Sequence, residues 1–65
     1  MKLVPFTLFE GGNILLNAAH IVAIEPDQSN PKITIISSID GVRRTVSMKP
    51  KDVLDHIVKA PAFSA

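Results

Sequence analysis

The sequence contains no cysteine, no tryptophan and no tyrosine, and only three phenylalanines. Without cysteine, disulfides and thiolate metal sites are excluded outright. The two histidines, His20 and His56, lie too far apart in sequence to share a fixed ligand spacing, so neither a structural metal nor a cofactor is expected. The scarcity of aromatics removes the stacking platforms that hold single-stranded nucleic acid. An excess of charge of one sign is missing too. Seven Lys and Arg against six Asp and Glu leave a net +1, which is no steering field. Long apolar runs are also lacking. The longest uncharged stretch, Gly11 to Ile24, includes Asn13, Asn17 and His20 and is too short and too polar to span a bilayer. In the first thirteen residues Pro5, Thr7 and Glu10 interrupt the apolar pattern and no small-residue cleavage site follows, unlike a secretory leader. These absences predict a soluble, cytoplasmic protein with no membrane insertion.

Catalytic signatures are missing as well. Glu10-Gly11-Gly12-Asn13 lacks the Lys-Ser/Thr and the strand-to-helix context of a phosphate-binding loop, and there is no G-x-S-x-G or H-E-x-x-H. The nearest approach to an acid/base group is His56 with Asp52 and Asp55. Asp52 and His56 stand at i, i+4 on a predicted helix, but nothing in the spacing aims a hydroxyl such as Ser47 at the imidazole. The expectation is no enzyme, with His56 a solvated helix residue and His20 a turn residue.

What is present is a small domain rich in apolar residues. A chain of 65 residues with 46% apolar content makes one domain, 1–60, followed by a tail, 61–65. At this length folding buries about 60% of the unfolded surface, and a single core rarely supplies more than about 3–5 kcal/mol. With disulfides and metals excluded, oligomerisation is the remaining way to hide the apolar surplus, so a homo-oligomer with a protein partner is expected.

Alternation predicts a first strand over Lys2–Phe9, with Pro5 marking an edge or a bulge. The Gly-Gly turn leads to a short return strand over Ile14–Leu16. Asn17 is suited to cap one helical turn before a strand over Ile21–Glu25, with Ile21 and Ala23 on one face and Val22 and Ile24 on the other. Pro26–Pro31 is dense in turn formers and reads as an exposed loop. Lys32–Ser38 is β-branched and predicts a strand. Asp40-Gly41 predicts a hairpin back into Val42–Met48. Val53, Leu54, Ile57 and Val58 then share one helical face, with Pro50 at the helix start and Pro61 beyond its end; Phe63 is placed to dock on that helix. The resulting fold class is α+β: a small antiparallel sheet of four to five strands with one C-terminal helix, in the order β-β-turn-β-β-β-α. The helix covers one face of the sheet, and the apolar side chains of the other face form the expected interface.

The run Leu16-Asn17-Ala18-Ala19-His20-Ile21-Val22-Ala23-Ile24-Glu25 resembles the L-N-x-x-x-I-x-x-I-E core of the FlbD/SwrD-type small flagellar accessory proteins. The likeness continues through Ile33-Thr34-Ile35, Gly41, Val46, Val53 and Ile57, spanning roughly residues 11–58. It departs after Glu25, where Gln28-Ser29-Asn30-Pro31 lengthens a loop that is shorter in that family. The resemblance implies a non-enzymatic accessory role in motility and carries over no catalytic residue.

Two sets of residues are candidates for a site. Asn17 could read a ligand by hydrogen bonds, but a structural cap is the favoured role. Arg43, Arg44, Lys49 and Lys51 form a segment without an acid, and the two lysines flank a helix start whose backbone N–H groups attract anions. Together they could hold an anion or an acidic partner. On that reading the chain is a nucleotide- or nucleic-acid-binding protein, such as a phage-encoded inhibitor. The alternative to an anion site is a solvated basic patch.

Overall fold

The structure, a computed structural model, describes residues 2–60. Five strands, one 3-10 turn and one helix follow in order: β1 (Leu3–Thr7), β2 (Asn13–Asn17), the turn Ala18–His20, β3 (Ile21–Pro26), β4 (Thr34–Ser38), β5 (Arg43–Val46) and α1 (Pro50–Lys59). The architecture is α+β, as expected, but the strands do not form one sheet. β1 and β2 make a two-stranded antiparallel sheet, and β3, β4 and β5 make a three-stranded one in that order. The two meet where Leu8 bridges Val46 and the Phe9 N–H donates to the Thr45 carbonyl at 2.9 Å. The division has a local cause. The 3-10 turn at Ala18–His20 redirects the chain between β2 and β3, so these sequence neighbours do not pair. The expected stop at Pro61, the tail 61–65 and the docking of Phe63 lie outside the described residues.

Prolines sit where the ladder does not need them. The Ala18 N–H donates to Lys2 and the Leu8 N–H to the Gly12 carbonyl, which sets the hydrogen-bonded pairs of the first hairpin at even positions of β1. Pro5, opposite Leu15, is therefore at a position facing away from β2, and its missing N–H removes no ladder bond. The same parity holds in β3. The Asp27 N–H donates to the Ile33 carbonyl, so Glu25 and Ala23 bond toward β4 while Ile24 and Pro26 turn their backbone groups outward.

The core lies between the two sheets and the helix. Val4, Phe6, Leu16, Ile36, Val46 and Val53 are buried there, and Leu8, Ile14, Ile21, Ile24, Met48 and Ile57 pack around them. Along β4 the alternation puts Thr34, Ile36 and Ser38 inward. Thr34 is fully buried, and its Oγ1 donates to the Met48 carbonyl at 2.5 Å, so the hydroxyl is not left unpaired.

Two facing assignments made from the sequence are overturned. In β3 a bulge between Ile21 and Ala23 inserts one residue and breaks the period-2 pattern. Ile21 and Ile24 consequently both turn toward the core, and Val22 and Ala23 are exposed. In α1 the buried stripe is Val53, Ile57 and Ala60, at i, i+4 and i+7. Leu54 and Val58 lie one position further round and are 58% and 73% exposed.

Tertiary anchors set that rotation. The Lys2 ammonium donates to the Ile57 and Val58 carbonyls at the helix C-terminus, where cations and donors are favoured. His56 Nε2 donates to the outward carbonyl of Pro5 at 2.6 Å, and its ring meets Phe6 edge-on with centroids 5.2 Å apart. β1, β4 and β5 also begin later or end earlier than predicted, whereas β2 and β3 run slightly longer. Asn30 accepts the Lys32 N–H on its side chain and the Ile33 N–H on its carbonyl, so turn geometry persists until β4 starts at Thr34. No helix among the described residues is long and apolar enough to cross a membrane.

Candidate functional site

The four basic residues expected to act together are separated by the fold. Arg43 and Arg44 are consecutive in β5 and leave it on opposite faces. Arg43 points to the open face, where it pairs with Glu25 at 2.9 Å across β4. Both partners of that pair are at least half exposed, so it contributes at most about 1 kcal/mol. Arg44 points inward, opposite Ile36, and is only half-buried because its head reaches a cleft at the end of the sheet. Lys49 and Lys51 are exposed at the start of α1. Lys51 lines a groove with Ile21, Val22, Ala23, Ile24, Pro50 and Leu54 and does not reach the arginine clefts.

Other expected roles change as well. His56 is not a solvated helix residue. It is half-buried, with a ring nitrogen committed to the Pro5 carbonyl. Asp52 is exposed and makes no ion pair with it; among the described residues the ion pairs are Arg43–Glu25 and Lys59–Asp55. Asn17 occupies the N-cap of the 3-10 turn, and its Oδ1 accepts the Ala19 N–H at 3.0 Å. His20 is exposed in that turn.

The open face of the three-stranded sheet is not the apolar surface expected from the sequence. Ile35 is half-buried there among Ser37, Thr45, Glu25 and Arg43. The exposed apolar side chains gather instead along the flank where β3 meets α1. Val22 is 63% exposed, and Leu54 and Val58 face the same side of the helix. β3 is an edge of its sheet, and Ile24 directs an N–H and a carbonyl outward along this groove. Sequence reading missed the groove because it counted Leu54 and Val58 as core. The available signal was their offset by one position from the Val53–Ile57–Ala60 stripe.

Comparison of the chain with protein-family models, curated proteins and solved structures finds no match to any of them.

Proposed function

We propose that this chain is a non-enzymatic protein-interaction module that self-associates through the β3–α1 flank, with a second copy of itself as the occupant. The observation that carries this reading is the coincidence of an unpaired strand edge with exposed Val22, Leu54 and Val58 on one surface. An edge strand of this kind is a template for another strand. Ile24 supplies both outward backbone groups, so two antiparallel copies of β3 can exchange a pair of hydrogen bonds there.

The rim supports a second copy over an unlike partner. Lys51 with Asp52 and Asp55 puts both signs of charge on the helix flank, so a two-fold axis can set the lysine of one copy against an acid of the other, in exposed pairs too weak to give a strong salt dependence. A strongly acidic or basic partner finds no such match. Size points the same way. A standard interface takes about 800 Å² from each partner, nearly a fifth of the 4369 Å² surface of this molecule, so strand edge and helix flank must both contribute.

The resemblance of Leu16–Glu25 to the flagellar accessory proteins supports looking for a further partner among motility components. The competing polyanion reading loses support from the separation of Arg43 and Arg44 from Lys49 and Lys51. Sedimentation of the full chain over a wide concentration range tests the proposal. Reversible association is expected, lost in Leu54→Asp with Val58→Asp and nearly insensitive to salt. A monomer at every concentration overturns it, as does association that survives the double variant.

A further inference from the structure

We infer that the cleft between β2, the 3-10 turn and the β4–β5 turn binds a small organic molecule through one carboxylate or phosphate group, with Arg44 as its anchor. Arg44 occupies a core-facing position. It lies directly opposite the fully buried Ile36, with the fully buried Val46 two residues further along β5. A charged residue at such a position needs a reason, because arginine is seldom placed inward unless it is paired. Among the described residues its side chain makes one long hydrogen bond: Nη1 donates to Ser38 Oγ at 3.3 Å. Among the described residues no carboxylate lies within ion-pair distance of it. Among the described residues no buried side-chain nitrogen or oxygen lacks a partner, so the remaining guanidinium nitrogens are open to solvent, where Arg44 lines this cleft and also a neighbouring one with Leu8, Glu10, Arg43 and Thr45.

The surroundings suit a single anionic group. The cleft holds about 380 Å³ and is lined by Leu15, Asn17, His20, Ser38, Asp40 and Arg44, among others. That volume is at the lower end of small-molecule sites. Asn17 spends its Oδ1 on the Ala19 N–H, which leaves its NH2 as the available end. His20 lines the same cleft. A carboxylate or phosphate matches the planar fork of arginine in two-point contact. Asp40, whose Oδ1 accepts the Val42 N–H at 3.0 Å, is the one acid in the lining among the described residues. Its charge disfavours a polyanion and so argues for a small molecule over a nucleic-acid backbone. Leu15 and Ile39, 53% and 68% exposed, stand at the same cleft to contact an apolar body.

An inward charge can also serve only to keep an edge strand from pairing, and β5 is at the edge of its sheet. The test therefore uses a readout that this role would not move. Acetate and inorganic phosphate are titrated separately into the ¹⁵N-labelled full chain, with chloride holding ionic strength constant. Saturable shifts are expected for the Asn17 side-chain amide, the Arg44 Nε–H and the backbone of residues 15–20 and 38–40. Affinity for so small a probe should be on the order of millimolar. Arg44→Lys should weaken it at least about fivefold, by loss of the two-point contact, and Asp40→Asn should strengthen it severalfold. Arg44→Ala should abolish it with the spectrum otherwise retained; should that variant not fold, the lysine and Asp40→Asn variants carry the test. Saturation by either anion at these residues supports the site, and the tighter one identifies the group. Shifts centred on Lys49–Lys51, shifts that never saturate, or an Asp40→Asn variant with unchanged affinity overturn it. The inference does not rest on self-association, which the Leu54 and Val58 variants address separately.

Discussion

At the scale of single residues, several polar side chains act as local ties. Asp27 opens the β3–β4 loop and accepts from the Ser29 backbone N–H and the Ser29 hydroxyl, each at 2.8 Å. These bonds, the backbone one first, hold its carboxyl below the ordinary value of 3.8. A carboxylate whose pKa is lowered by folding stabilises the native state above its unfolded value. That contribution disappears as pH falls through the lowered folded value. Asp27→Asn keeps an acceptor but no charge, so its stability should lag behind the parent by a constant margin from neutral pH to about pH 5. The margin should then shrink on further acidification. Urea midpoints of both proteins across that range check this; a margin that grows toward acid would contradict it. The Thr34–Met48 bond is a tie of another kind. It allows a polar side chain to sit fully buried in the strand that supplies Ile36 to the core.

At the scale of elements, turns and bulges decide which residues face where. The β4–β5 hairpin closes with the Ser38 N–H on the Val42 carbonyl, the Gly41 N–H on the Ser38 carbonyl, and Asp40 accepting from Val42. Gly41 has φ +85°, and a Cβ built there meets nothing within 4 Å. The penalty of Gly41→Ala is therefore conformational and not steric. About 1–2 kcal/mol is expected, visible as a lower denaturation midpoint with the strand register unchanged in amide–amide contacts. Loss of register instead would mean that the turn directs the pairing. The anchors of α1, the Lys2 ammonium and the Pro5 carbonyl that accepts from His56, come from the N-terminal strand region, more than fifty residues away in sequence. Helix rotation is thus tied to the first hairpin, and Leu54 and Val58 are left outside.

At the scale of the molecule, the small core leaves little reserve. Ile36 is fully buried at the centre of β4. Replacing it by alanine should cost about 2–5 kcal/mol, comparable with the whole stability of a domain of this size. Ile36→Ala should accordingly be largely unfolded by circular dichroism at 25 °C. Leu54→Asp, at an exposed helix position, should change monomer stability by no more than about 0.5 kcal/mol. A severe loss of fold in Leu54→Asp would place that residue in a core the structure does not give it. The contrast matters for function, because it separates a surface that holds the chain together from one available to a partner.

Much of this organisation was determined by the sequence itself. Local chemistry dictates the order of five strands and one helix, the Asp-Gly and Gly-Gly turns, Pro50 at the helix start and Asn17 at the cap, since each depends on residues only a few positions apart. What only the tertiary structure decided were the quantities that depend on distant partners. One bulge residue in β3 separated Val22 from Ile24, which joins Ile21 on the core side, and left Ala23 exposed. The reach of Lys2 and the outward carbonyl of Pro5 chose which helical stripe is buried, moving Leu54 and Val58 to the surface and His56 toward the core. The division into two sheets came from the turn after β2, and the cleft that gathers Asn17, His20, Asp40 and Arg44 exists only because that turn brings β2 beside the β4–β5 turn. Backbone alternation repeats every two residues and helices every 3.6, so one inserted residue or one long-range hydrogen bond is enough to change which side of an element meets the core.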